Sequence, residues 1–112
     1  MTEQPVSLFT VHPDSPSLFL PSAISRSPWA VDTVHGGVGS ATFARSLERL
    51  LPDQRLSRLT VDLLRPYPMA GFEVEVEVLR GGRSVTTTVG RAVDPSGRAV
   101  ARATALHQVP VP

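Results

Sequence analysis

The chain has 112 residues, an ordinary hydrophobic share of 41%, a formal charge of +1 and no cysteine. That length holds one domain with one modest core, and that charge gives no electrostatic reason to expect nucleic acid or an anionic membrane as a partner. Without cysteine there are no disulfides, thiolate nucleophiles or cysteine-ligated metals.

All eleven basic residues are arginine, which leaves every cation able to make planar, bidentate contacts to phosphate. The N-terminal MTEQPVSLF has neither a basic start nor a long apolar core, so no signal peptide is expected. No apolar run approaches the roughly 20 residues that span a bilayer. A cytoplasmic protein is the expectation.

In chain order, residues 1–16 are read as a poorly structured arm, 17–108 as the folded domain and 109–112 as a tail. The first thirty residues are rich in proline and serine, and only SLFLPSAIS (17–25) has the make-up of a short strand. Pro21 would confine that strand to an edge. From Gly37 to Leu51 the apolar residues Phe43, Leu47, Leu50 and Leu51 recur at spacings of three and four, a helical period that Pro52 ends.

Beyond Pro52 the period drops to two. RLSRLTVDLL (55–64) reads as a strand. FEVEVEV (72–78) alternates without a break, so Phe72, Val74, Val76 and Val78 face a core and Glu73, Glu75 and Glu77 face water. Gly81-Gly82 predicts a two-residue hairpin turn into SVTTTVGRAV (84–93). Asp94–Gly97 predicts a second turn, leading into RAVARATALHQ (98–108). One helix against four or five antiparallel strands, with small residues at Ala99, Ala101, Ala103 and Ala105, suits an α+β hotdog: a single domain whose antiparallel sheet wraps one central helix.

The order of motifs carries a resemblance. Trp29, then His35-Gly36-Gly37 entering a helix, then LTVDLLRPYP (59–68), EVLRGGRSV (77–85) and a last strand ending ALHQ resemble the first hotdog repeat of TesB-like acyl-CoA thioesterases over residues 18–108. The resemblance implies a protein that binds or hydrolyses acyl-CoA or another acyl thioester. Its acyl group would lie between the helices of a homodimer or larger homo-oligomer, and coenzyme A would enter only as part of the substrate, with no separate cofactor. Two departures stand out. Chains of that family usually carry two hotdog repeats and these residues hold one, so a second hotdog subunit is an alternative partner and a non-catalytic acyl-binding half an alternative function. A carboxylate usual in the helix beyond the glycines is replaced by Ala44.

The stretch DTVHGGVGSATF (32–43) is the candidate site. A dinucleotide loop is a poor fit, because Thr42 stands where a third glycine belongs and no βαβ unit follows. A phosphate loop of the lysine type is excluded by the absence of lysine. As a plain helix start, the glycines allow a sharp turn that Asp32 or Thr33 would cap. As a site, the first amides of the helix, those of Gly37 and Val38, would polarise a thioester carbonyl and stabilise its oxyanion, with Gly36 and Ser40 beside it.

His35 orients substrate or water, or simply fixes the loop. For a general base the candidates are Glu48, Asp62, Asp32, Ser40 and Thr42; Ser40, Ala44 and Glu48 share one helix face. Arg80 and Arg83, flanking Gly81-Gly82, are candidates for gripping coenzyme A phosphates. Trp29 reads as a packing residue. His12 and His107 have no ligand spacing, so no metal site is expected.

Overall fold

A computed structural model of the protein describes residues 7–111. In chain order it contains β1 (Phe9–His12), β2 (Ser15–Pro21), a 3₁₀ turn (Ala23–Ser25), α1 (Gly36–Leu50), β3 (Arg55–Leu63), β4 (Phe72–Arg80), β5 (Val85–Val93) and β6 (Ala99–Gln108). The strands form one antiparallel sheet in the order β1-β2-β4-β5-β6-β3. The helix packs on one face of it, against β3, β4 and β5. This is the hotdog arrangement expected from the sequence.

The face is built from alternation and small side chains. Along β6 Ala101, Ala103, Ala105 and His107 are buried while Arg102 and Thr104 are exposed. Gly90 of β5 stands opposite Ala103, and a Cβ at Gly90 would come 2.8 Å from the Phe43 ring. Glycine and alanine thus leave a trough deep enough for Phe43 and Leu47, both fully buried. On β4 the glutamates stay exposed, and burial on the other face fades along the strand from Phe72 to Val78. At the helix end, Leu51 donates its N–H to the Leu47 carbonyl at 3.3 Å, and Pro52, lacking an N–H, stops the run.

Four expectations change. Residues 9–12 and 15–21 form a hairpin where a loose arm over 1–16 was expected; residues 1–6 of that arm lie outside the described residues. Phe9 fixes that hairpin by packing edge-on against buried Phe19 at 5.2 Å between ring centroids. β2 is internal rather than an edge, lying between β1 and β4. Pro21 is tolerated because it is the terminal residue of its strand. The Gly81-Gly82 turn is a four-residue loop, 81–84, with an irregularity between Val78 and Arg80. Neither glycine has the positive φ that a two-residue hairpin turn needs; only Gly71 and Gly97 do. Finally, Trp29 does not pack: it is 89% exposed in the loop before the helix.

Candidate functional site at the helix start

The loop entering α1 is tied down from two sides. The Val34 N–H donates to the Tyr67 carbonyl at 2.8 Å, the His35 N–H to the Ser25 carbonyl at 2.7 Å, and the Met69 N–H to the Asp32 carbonyl at 2.9 Å. Isolated bridges join Thr33 to Pro68 and Arg26 to Val34. A segment just after β3 and the 3₁₀ turn therefore fix where the helix begins.

His35 itself is the cap. Its Nδ1 accepts the Gly37 N–H at 3.1 Å, which in a neutral ring puts the proton on Nε2. Its carbonyl accepts from Val38 at 3.0 Å and from Gly39 at 3.1 Å. The Thr33 hydroxyl donates to the Ala30 carbonyl instead, so neither Thr33 nor Asp32 caps the helix as the sequence suggested. Among the described residues the Gly36 amide has no partner. The two amides nominated from sequence, those of Gly37 and Val38, are thus both occupied. The one at Gly37 is held only by an exposed side chain able to swing away.

One glycine of the motif has a packing task. A Cβ on Gly39 would overlap the ring of Tyr67, whereas one on Gly36 would meet nothing within 4 Å. Tyr67 is fully buried, tilted against Phe72 at 5.0 Å between ring centroids. Its hydroxyl lies 3.3 Å from Ser40 Oγ. Burial pushes the phenol up from its ordinary range, and the Ser40 hydrogen bond opposes this in part. Sequence reasoning missed Tyr67; a tyrosine between two prolines, Pro66 and Pro68, was the available signal.

His35, Gly36, Gly37, Val38 and Ser40 come together at this end of the helix. The other nominated residues do not join them within one protomer. Glu48 is exposed twelve residues along the helix from Gly36, about 18 Å along its axis. Asp62 stands opposite Arg102, on the outer face of the sheet, away from the helix. Arg80 and Arg83 are exposed at the far end of β4, about 26 Å along the strand from Phe72, whose ring packs beside Tyr67. Ala44 is partly buried on the helix, and neighbouring Arg45 places its guanidinium 5.6 Å from the centroid of Phe19. Asp32 is exposed, and the Thr42 hydroxyl is turned back to the Gly39 carbonyl.

No group of three or more His, Asp or Glu among the described residues is placed to hold a metal ion. His12 is used locally, its Nδ1 accepting the Asp14 N–H at 3.1 Å. No helix among the described residues is long and apolar enough to cross a membrane.

The sheet and the helix packed on it define a hotdog protein. Residues 25–108 match the family model described as the acyl-CoA thioesterase N-terminal domain, and the chain belongs to that family. Solved structures share the fold. A hypothetical thioesterase from Streptococcus pneumoniae, crystallised with coenzyme A, is 15% identical with a TM-score of 0.74, over 82% of this chain and 78% of that one. A Bacillus halodurans protein with CoA is 18% identical with a TM-score of 0.71, over 81% and 68%. The tesB protein of Mycobacterium avium subsp. paratuberculosis is 20% identical with a TM-score of 0.68, over 85% of this chain but only 38% of its own. The comparison with curated proteins yields no match.

Proposed function

We propose that the protein hydrolyses acyl-CoA or a related acyl thioester at the start of α1, in a homodimer. The observation that carries the reading is the state of the first helical amides. Gly36 offers an unpartnered N–H, and Gly37 offers one covered only by the exposed His35 ring. A thioester carbonyl entering here accepts from Gly36, and from Gly37 once the imidazole swings off. Both donors sit at the positive end of the helix dipole, where the oxyanion of the tetrahedral intermediate develops. The coenzyme A bound by the relatives from S. pneumoniae and B. halodurans supports this choice of ligand.

A water must attack the carbonyl carbon, the C–S bond break, and the water's proton pass to a base and on to the departing thiolate. The carboxylate for this step comes from a second copy. β3 is an edge strand whose outer side pairs with nothing among the described residues, and such edges invite pairing. Antiparallel pairing of two β3 strands centred on Thr60 sets Arg58 against the second copy's Asp62, and the reverse. Asp62 then acts as an interface charge rather than a base. The two helices run antiparallel on one face of the joined sheet, so Glu48 of one copy approaches the Gly36 end of the other. The second copy's Arg80 and Arg83 also come to that end, where coenzyme A phosphates extend.

The test is release of free thiol from short, medium and long acyl-CoAs by the purified protein, with Glu48→Gln alongside. Turnover that falls at least a hundredfold in the variant is expected; no release above background from any chain length overturns the reading. A second reading rests on the length of the tesB relative, of which this chain covers 38%, and on Ala44. Here the domain binds an acyl group without cleaving it and pairs with a different hotdog domain. A homodimer in light scattering with turnover abolished by Gly37→Val excludes it.

A further inference from the structure

Hydroxyls inside helices usually bond back to their own helix. Two of the three in α1 do so: Thr42 turns to the Gly39 carbonyl, and Ser46 donates to the Thr42 carbonyl at 2.8 Å. Ser40 instead faces a side chain 27 positions away, the hydroxyl of Tyr67 at 3.3 Å. Ser40 stands four residues after Gly36, on the same helix face, and its Cβ leans toward the helix start. It is partly exposed while Tyr67 is fully buried. The pair thus spans the boundary between the core and the open end of the helix.

We propose that Tyr67 is a positioning residue for thioester hydrolysis, whose buried hydroxyl orients Ser40 so that the serine proton points to the carbonyl at the Gly36 amide. This rests on the thioesterase reading above. A phenol is the more acidic hydroxyl of the two and the better donor. When it donates to Ser40 Oγ, that oxygen's lone pair is occupied and its own proton turns outward, a third donor for the developing oxyanion beside Gly36 and Gly37. The seat of Tyr67 is built for one position. Pro66 and Pro68 limit the backbone on either side, the Tyr67 carbonyl holds the loop through Val34, and the absent side chain of Gly39 admits the ring against the helix. Phenylalanine would fill the same apolar space, so the hydroxyl has no packing reason to be there.

The experiment measures kcat, KM and Tm for the wild type, Tyr67→Phe, Ser40→Ala and the double variant on one acyl-CoA. Each single change is expected to lower kcat about tenfold, the size of one lost hydrogen bond, with KM nearly unchanged because the contact forms in the transition state. The double variant is expected to match the singles, Ser40→Thr to restore most of kcat, and Tm for Tyr67→Phe to stay within about 2 °C. Wild-type kcat in Tyr67→Phe, or losses that multiply in the double variant, overturn the inference and leave the thioesterase reading standing. A wild type without turnover removes both. If Tyr67→Phe does not fold, Ser40→Ala decides alone, and an unchanged kcat overturns the proposal.

Discussion

The two ends of the helix treat polar groups in opposite ways. At the start, His35, Ser40 and Tyr67 each have a partner, and the groups nearest solvent can exchange theirs for a ligand. At the other end a polar group lies inside the core. Between Leu56 and Thr86, its register partners on the two neighbouring strands, His107 is fully buried, with Nε2 2.8 Å from Thr88 Oγ1 and Nδ1 without a partner among the described residues. Thr86 and Thr88 are buried with it. The first arrangement is replaceable and faces outward; the second is fixed, incompletely satisfied and expensive. Substitutions at the start should therefore separate into those that touch packing and those that touch chemistry, while substitutions at the far end should register only in stability.

The largest expected effect is at Gly39. A methyl group there overlaps the Tyr67 ring, which cannot retreat from Phe72 and the prolines beside it. Gly39→Ala should cost about 3 kcal/mol, a fall in Tm of roughly 12–18 °C for a domain of this size. A Tm within 2 °C of wild type, measured by calorimetry, would mean the ring is not seated against the helix. Next comes Thr88→Val, which removes the one partner that the His107 ring has among the described residues. It should cost about 1–2 kcal/mol and leave turnover per folded molecule unchanged; lost turnover with an intact Tm would place the cluster in the site.

His107 also makes a pH prediction. Burial holds its imidazole below the ordinary value of 6.5, so the folded protein keeps it neutral where the unfolded chain takes up a proton. The sign follows: the unfolded state binds more protons, so stability rises with pH through this window. It is unaffected well above pH 6.5 and declines as pH drops from 6.5 toward the lower folded value. The groups across the strands, Thr86, Thr88 and Leu56, are uncharged and add no competing titration. Chemical denaturation from pH 8 to pH 5 should show that decline, and His107→Leu should flatten it; equal slopes in the two proteins would show that His107 is not its source.

The same contrast explains how much was legible beforehand. The β4 alternation, the spacing of Phe43, Leu47 and Leu50, and the row of alanines on β6 are local patterns, and they announced the sheet, the helix and the wrapped arrangement. Nothing local marks β1, because proline and serine surround Phe9 and Val11, which act only through the core they join, whereas part of β2 is legible in SLFLPSAIS. The helix start was found from its glycines, but its partners come from elsewhere in the chain. Tyr67 and Ser25 are brought there by the fold, and a histidine capping its own helix through Nδ1 leaves no pattern distinct from a base or a loop anchor. Glu48 and Asp62 are candidates because hydrolysis needs a base and Ala44 supplies none; the helical period and the strand alternation already put Glu48 far along α1 and Asp62 on the face opposite Leu59 and Val61.

The three glycines of the motif give the smallest effect and the sharpest contrast. Gly36, Gly37 and Gly39 look equivalent in sequence, yet only Gly39 is sterically required by a neighbour that must stay. At Gly37 a Cβ would come 3.3 Å from the His35 ring, an exposed group that can move. At Gly36 it would meet open space, and the backbone is helical with no positive φ. Alanine at Gly36 reduces the entropy of the unfolded chain at no steric cost, a gain of up to about 1 kcal/mol. Gly36→Ala should therefore leave Tm unchanged or raise it by a few degrees, against the large fall at Gly39 three positions on. Because the substitution leaves the Gly36 N–H in place, kcat should hold as well, with KM alone rising if the new methyl group crowds the incoming carbonyl. A fall in Tm of 5 °C or more would show that the open space beside Gly36 is filled in solution, and the free amide on which the site depends would no longer be free.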